Sequence, residues 1–332
     1  MININFDEMI NKRGGFGIKK LNLNNRGFLQ ISFAWLFAII VGAIILFFAI
    51  YASVKLINTE ESVSLTQAGQ EISVLLNPLE TGFGEEKTTP LSIAVESKVN
   101  NICNEFGEFG EQEIRVSQKT SGKWTDTGLG SISYNKYIFS NASVQGKDFY
   151  LFSKPFNFPF KVSDLIFLTS TKDSYCFADA PEEIREELAG LGQANLFIEN
   201  CPEESINVCF GADSGCDVIV NENQKSVEHA GDGRGLVYYE TDALMYAAIF
   251  SETDIYECQM KRLMKRLEAM ALLYHDKEAV ISGAGCIAEV SLLGLADSAA
   301  SLASSADLIN VASAAEDTED SNENTRASCR LW

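Results

Sequence analysis

The sequence has little histidine. His229 and His275 are the only two, so chemistry that needs several imidazoles is excluded. Positive charge is also scarce: 26 Lys and Arg stand against 46 Asp and Glu, a net charge of −20. Phosphate recognition needs clustered positive charge, which excludes nucleic acid as a partner of the whole chain. There is no Cys-x-x-Cys pair, and no histidine lies at ligand spacing from a cysteine, so a zinc site is not expected. Gly-x-Ser-x-Gly, His-Glu-x-x-His and the Rossmann glycine pattern are missing. The segment HAGDGRG at 229–235 lacks the Gly-Lys-Ser/Thr of a phosphate loop and reads as a connecting turn. No catalytic residue can be named, no cofactor is expected, and the chain does not read as an enzyme. No repeat of 20–50 residues is visible either.

One absence is local and informative. From Phe33 to Ala52 the chain has 20 residues with no charge, side-chain amide or aliphatic hydroxyl. As a helix rising about 1.5 Å per residue, it spans the roughly 30 Å of a bilayer core. A helix in a protein core would show a polar stripe, and this one shows none. Trp35 and Tyr51 stand near its ends, as interfacial aromatics do. Residues 1–28 hold five basic and two acidic side chains, net +3, whereas residues 58–332 hold 20 basic and 44 acidic, net −24. The positive-inside rule then puts the N-terminus in the cytoplasm and the acidic part outside. A cleaved secretory signal is the competing reading. It would have a shorter apolar stretch ending in small-x-small, and here bulky Ile50 lies two positions before Ala52.

All eight cysteines, Cys103, Cys176, Cys201, Cys209, Cys216, Cys258, Cys286 and Cys329, follow this segment. An even number on the outer side is what disulfide bonding in an oxidising compartment produces. Eight cysteines allow 105 pairings. Cys201 and Cys209 flank a short loop that could close on itself. Cys329 follows the polar run 316–326 and suggests a tethered acidic tail.

Apolar spacing over 58–76 predicts a helix that continues the membrane segment and ends at Asn77-Pro78. Strands are expected at 91–99, 113–118, 136–140 and 148–153, where residues alternate or are β-branched or aromatic. Asn141-Ala142-Ser143, between two of them, is a glycosylation sequon. PFNFPF (155–160) reads as core phenylalanines on an edge strand. Pro181 and the acids after it mark a helix start, with Gly190 and Gly192 as its stop. Short strands are expected at 206–210, 216–220 and 236–240.

The last 80 residues turn helical. Met260, Leu263, Met264, Leu267, Met270 and Tyr274 form one apolar face. Lys261, Arg262, Lys265 and Arg266 make the only dense basic cluster of the outer part. They read either as a solvated face with Glu257–Lys261 pairing or as a contact for an acidic partner, including a second copy of this chain. Residues 287–314 are rich in Ala and Ser, with Leu295, Leu302 and Ile309 seven apart, and predict a helix packed on the one before it.

Asn25-Arg26-Gly27-Phe28-Leu29-Gln30-Ile31-Ser32-Phe33-Ala34-Trp35 resembles the processing region of type IV pilin-like proteins, especially archaeal ones. In that family a membrane peptidase cuts after a glycine on the cytoplasmic side. The apolar helix then stays in the bilayer or packs into a filament. The resemblance implies Gly27 as the residue before the cut and Phe28 as the new N-terminus. Gln30 and Ser32 match the archaeal opening but lie two residues late. The slot near the fifth position, acidic in the family, holds Ser32 or Ala34 by register, which favours an anchored protein over a filament subunit. The whole chain is also similar to single-span archaeal envelope proteins.

The expected architecture is α+β, with a mostly antiparallel outer domain. Residues 1–28 form a basic cytoplasmic leader, 29–57 the transmembrane helix and 58–77 the juxtamembrane helix. Residues 78–250 form a β-rich extracytoplasmic domain, and 251–332 a helical segment with a flexible acidic tail. The bilayer is one partner; a homo-oligomer or an envelope protein is the other expected one. The reading is a membrane-anchored surface protein of structural or adhesive type, with a tethered binding module as the alternative and an extracytoplasmic enzyme third.

Overall fold

The computed structural model describes residues 33–55 and 88–332, apart from 121, 126, 128–129, 212–214, 231–234, 284 and 287–289. The leader, Gly27, Phe28 and the helix expected over 58–77 lie outside the described residues. The chain divides into two units, 1–57 and 58–332.

In the first unit, Phe33–Lys55 (α1) is one helix of 23 residues with mean hydropathy 2.9, none of it buried within the protein. It is long and apolar enough to cross a membrane.

The second unit is α+β. Its first sheet contains Thr89–Asn104 (β1), Glu111–Thr120 (β2), Lys123–Trp124 (β3), Ser131–Ser133 (β4), Tyr137–Phe139 (β5), Ser143–Asn157 (β6) and Lys161–Ser170 (β7). The strand order is β3-β2-β1-β6-β7-β5, with β4 paired to β2. All pairings are antiparallel except β5 with β7. Over residues 165–168 β7 is apolar on both faces, as a strand covered on both sides must be. Ile166 and Leu168 join Val99, Ile114, Val116, Ile138, Val144, Phe149 and Leu151 in one cluster. Leu165 and Phe167 face the larger core. The pairing of β1 with β6 shifts register between Ser92 and Ser97. The sheet curls: β5 is an end strand, yet the Asn101 amide of β1 donates to Ile138 O at 3.0 Å.

The second sheet contains Tyr175–Ala178 (β8), Leu196–Phe197 (β9), Ile206–Phe210 (β10), Val218–Asn221 (β11), Ser226–His229 (β12) and Leu236–Tyr238 (β13). Its order is β13-β12-β11-β10-β8-β9. Here β9, β8, β10 and β11 run parallel, and only β12 is reversed, pairing antiparallel with β11 and β13. This sheet is therefore mixed rather than mostly antiparallel. Between β8 and β9 lies Glu182–Leu191 (α2), which begins after Pro181 and ends at Gly192 in the left-handed region, as the glycine stop requires.

Asp242–Phe250 (α3) has no counterpart in the sequence reading. Eight of its residues, Ala243 to Phe250, are buried. Eight consecutive apolar residues leave no helical stripe to distinguish the segment from a buried strand. Its start is fixed by the Thr241 side chain, which accepts from Leu244 N. Thr253–Ser282 (α4) carries the expected apolar face into the core at Met260, Leu263, Met264 and Leu267. Residues 287–314 do not form one helix. Leu292–Ala300 (α5) and Leu308–Glu323 (α6) are separated by a break, because Ser304 and Asp307 close a capping box that starts a new helix. The acidic run, expected as a flexible tail, is corrected: most of it lies in α6. The chain end packs back on the core, with Leu331 buried and Trp332 against Phe160 and Tyr274. Phe156, Phe158 and Phe160 are core residues, as PFNFPF suggested.

Four disulfides join Cys103 to Cys258, Cys176 to Cys201, Cys209 to Cys216 and Cys286 to Cys329. The Cys201–Cys209 loop closure is corrected. Parallel pairing of β8 with β10 sets Cys176 beside Asn207, and each of those two cysteines takes a different partner. The Cys103–Cys258 bridge ties β1 to α4 across 155 residues. Closing so long a loop constrains the unfolded chain strongly. Replacing both cysteines by alanine is expected to lower stability by about 2–5 kcal/mol, read as an earlier urea midpoint.

Candidate functional site

The basic cluster of α4 is turned inward. Arg262 is fully buried. Its guanidinium donates to Phe109 O at 3.1 Å, Lys136 O at 2.9 Å, Tyr134 O at 3.1 Å and Gln259 Oε1 at 2.7 Å, and it lies over the Tyr137 ring. Gln259 donates to Ile138 O and to the Gln112 side chain, which in turn donates to Asn101. The carbonyls of residues 134, 136 and 138 recur at period two. In a sheet, such a row would bond a neighbouring strand. Here the side chains of α4 and β1 supply the donors instead. The approach is close: a Cβ on Gly110, at φ +61°, would meet Asn104 O at 2.4 Å and Arg262 Cγ at 2.9 Å. Burial pushes the Arg262 pKa down to about 10, opposed by Tyr137 and Glu111, so it stays charged at neutral pH.

The other three basic residues also have internal partners. Lys265 donates to Glu105 O and Gly107 O, Arg266 to Val162 O, and Lys261 pairs with Glu105 at 2.8 Å. The expected Glu257–Lys261 pair is replaced, because Glu257 binds the backbone and hydroxyl of Ser305. The reading of all four as an outward contact is thus corrected at Arg262. A helix periodicity cannot tell a solvated face from one that meets a sheet edge.

A cavity of about 420 Å³ opens elsewhere, lined by Asn141, Tyr175, Ile206, Asp217, Val218, His229, Ile249, Glu252, Thr253 and Asp254. The topology explains the convergence. β8, β10 and β11 are parallel, so Tyr175, Ile206 and Val218 start their strands at one edge of the sheet. β12 is antiparallel, so its last residue, His229, pairs with Val218 at that same edge. The joint between α3 and α4 covers this edge with Ile249 and residues 252–254. The turn between β5 and β6 brings Asn141 from the other sheet.

The lining contains three carboxylates and no Lys or Arg. Glu252 accepts from Ala142 N at 3.2 Å, and Asp217 from Asn207 N at 2.8 Å. His229 Nε2 lies 2.8 Å from Ala248 O. A carbonyl only accepts, so this nitrogen carries the proton. Tyr175 is 3% exposed and its ring meets Phe250 edge-on at 4.9 Å. Its hydroxyl has no hydrogen-bond partner among the described residues. Burial, and then the charge of Asp173, raise its pKa. The Asn141 side chain also has no hydrogen-bond partner among the described residues. Sequence reading had singled out Asn141 and His229. Ser251-x-x-Asp254 resembles a helix start in the sequence, and no motif marks it, Tyr175 or Asp217 as lining a site. Among the described residues, no three His, Cys, Asp or Glu side chains are grouped to hold a metal ion.

Arg262→Met is expected to cost about 3 kcal/mol or more in a denaturant titration, because buried acceptors lose their donor. Lys265→Met should cost about 1 kcal/mol, because its acceptor on Gly107 is exposed to water. A second expectation concerns alkaline pH. Burial raises Tyr239 to about 12 and raises Tyr175 and Tyr256 as well, whereas an unfolded tyrosine titrates near about 10. Above that pH the folded state binds more protons than the unfolded one, so stability falls as pH rises. The urea midpoint should drop between about pH 10 and 12, with phenolate absorbance from these residues appearing only on unfolding.

No protein-family model, curated protein or solved structure matches this chain.

Proposed function

We propose that this chain is a single-pass cell-surface protein of structural or adhesive type, pilin-like in layout and anchored rather than filament-forming. One observation carries the reading: all eight cysteines are paired, and all lie on the C-terminal side of one exposed apolar helix. Four disulfides need an oxidising compartment. An apolar helix with no protein cover needs lipid or a partner helix. The basic leader and the acidic remainder orient the helix with its N-terminus in the cytoplasm.

A second reading, a tethered binding module, is supported by the cavity. The contact it needs moves from the 261–266 cluster, whose donors are used internally, to the cavity at the α3–α4 joint. The two readings share the same placement and differ in whether that cavity takes a ligand.

The test is intact-mass analysis of the protein purified without reductant from its own membranes, with protease treatment of intact cells. Four bridges remove two hydrogens each, a deficit of about 8 Da from the reduced chain. That deficit and digestion of the outer domain on intact cells are the expected results. Free thiols, or protection from external protease, would overturn the placement. An N-terminus at Phe28 supports prepilin-type processing, and an intact Met1 overturns that part of the reading.

A further inference from the structure

The cavity and the sequon meet at one residue. Asn141 is both the acceptor position of Asn-Ala-Ser and part of the cavity wall. Its backbone is held in place: Asn101 N donates to Ala142 O at 2.9 Å, and Ala142 N donates to Glu252 at 3.2 Å. Its side-chain amide is left without a protein partner among the described residues, whereas nearby Asn101 spends its amide on Ile138 and Ser140. Ala142 and Ser143 are exposed, so the rest of the triplet faces solvent.

The cavity suits a neutral sugar. Its volume of about 420 Å³ falls within the roughly 300–1,000 Å³ of small-molecule sites. Asp217 and Asp254 can accept from hydroxyl groups. Ile206, Val218 and Ile249 offer an apolar surface for the C–H face of a pyranose ring. The Tyr175 hydroxyl lines the cavity without a hydrogen-bond partner among the described residues and can bond a ligand hydroxyl. Three carboxylates without a lysine or arginine disfavour an anionic sugar.

We propose that Asn141 carries an N-linked neutral sugar and that its first residues occupy this cavity, bridging the two sheets. The proposal rests on the outer placement argued above. The donor class is a sugar activated at C1 by a diphosphate. The amide nitrogen bonds to C1, the C1–O bond breaks, the diphosphate leaves with the electron pair, and the amide gives up one proton. Attachment takes place on the emerging chain, and the cavity then closes around the sugar as α3 and α4 pack.

The test uses the full-length protein with Ser143→Ala and Ser143→Thr, all made in the native host. Ser143 is exposed and outside the cavity lining, so neither change alters the cavity itself. The expected result is a sugar mass on the Asn141 peptide of the unsubstituted protein, kept in Ser143→Thr and lost in Ser143→Ala. Backbone amide exchange over residues 249–254 should then be several-fold faster in Ser143→Ala than in the unsubstituted or Ser143→Thr protein. Tyr175→Phe should keep the sugar mass and raise exchange at the same segment. A fully oxidised chain with a bare Asn141 overturns the proposal while the outer placement stands. Free thiols instead mark failure of the placement itself. A modified Asn141 in the unsubstituted protein, with exchange equal in that protein, Ser143→Ala and Ser143→Thr, puts the sugar in solvent and overturns its seat in the cavity.

Discussion

The second unit depends on how the first sheet ends. A sheet edge presents unpaired carbonyls, and natural proteins cover it, shorten it or close it. Here β5 curls back toward β1 and β2 without forming a ladder with either. The gap is filled by Asn101, Gln112, Gln259 and Arg262. A buried arginine is costly unless all its donors are used, and this one faces four acceptors. α4 therefore has one allowed rotation and one allowed height against the sheet. The Cys103–Cys258 bridge, one turn earlier on the helix, holds the same pair of elements covalently.

Fixing α4 fixes much else. Its apolar face forms one wall of the main core, against which α3, α5 and α6 pack. Its first residues, with the end of α3, cover the edge where the parallel strands of the second sheet begin. A cavity remains there because strand starts from one sheet, a turn from the other and a helix joint meet without a side chain large enough to fill the space. Glu252 and Asp217 each accept a backbone N–H there and still face the cavity.

The sequence made the anchor legible because a bilayer imposes a simple rule. Phe33 to Ala52 is apolar all round, as a membrane span must be, and the flanking charge bias is what the proposed orientation rests on. It also made most strands legible, since alternation at 113–118 and 148–153 reflects a sheet with two different faces. The glycine stop of α2 and the pairing of all cysteines on one side of the helix were readable for similar local reasons. Three features were not. α3 has no stripe because it is buried on every side. The break between α5 and α6 comes from one capping box within an otherwise helical composition. The cysteine partners depend on which strands run parallel, which Cys201 and Cys209, eight residues apart, do not reveal.

The candidate site divides in the same way. Asn141 was visible as a sequon because three consecutive residues define it. Tyr175, Asp217 and Glu252 are scattered over 78 positions, and only the shared edge of a parallel sheet brings them together. The basic cluster shows the opposite failure. Four neighbouring charges look like a surface because charge is usually solvated, and Arg262 is buried because a sheet edge offered it enough carbonyls. By itself the sequence determined what water and lipid require of each segment: which stretch leaves water, which side carries the acid load, and where strands alternate. The tertiary structure alone decided which polar groups satisfy one another, since that depends on distances between residues far apart in the chain.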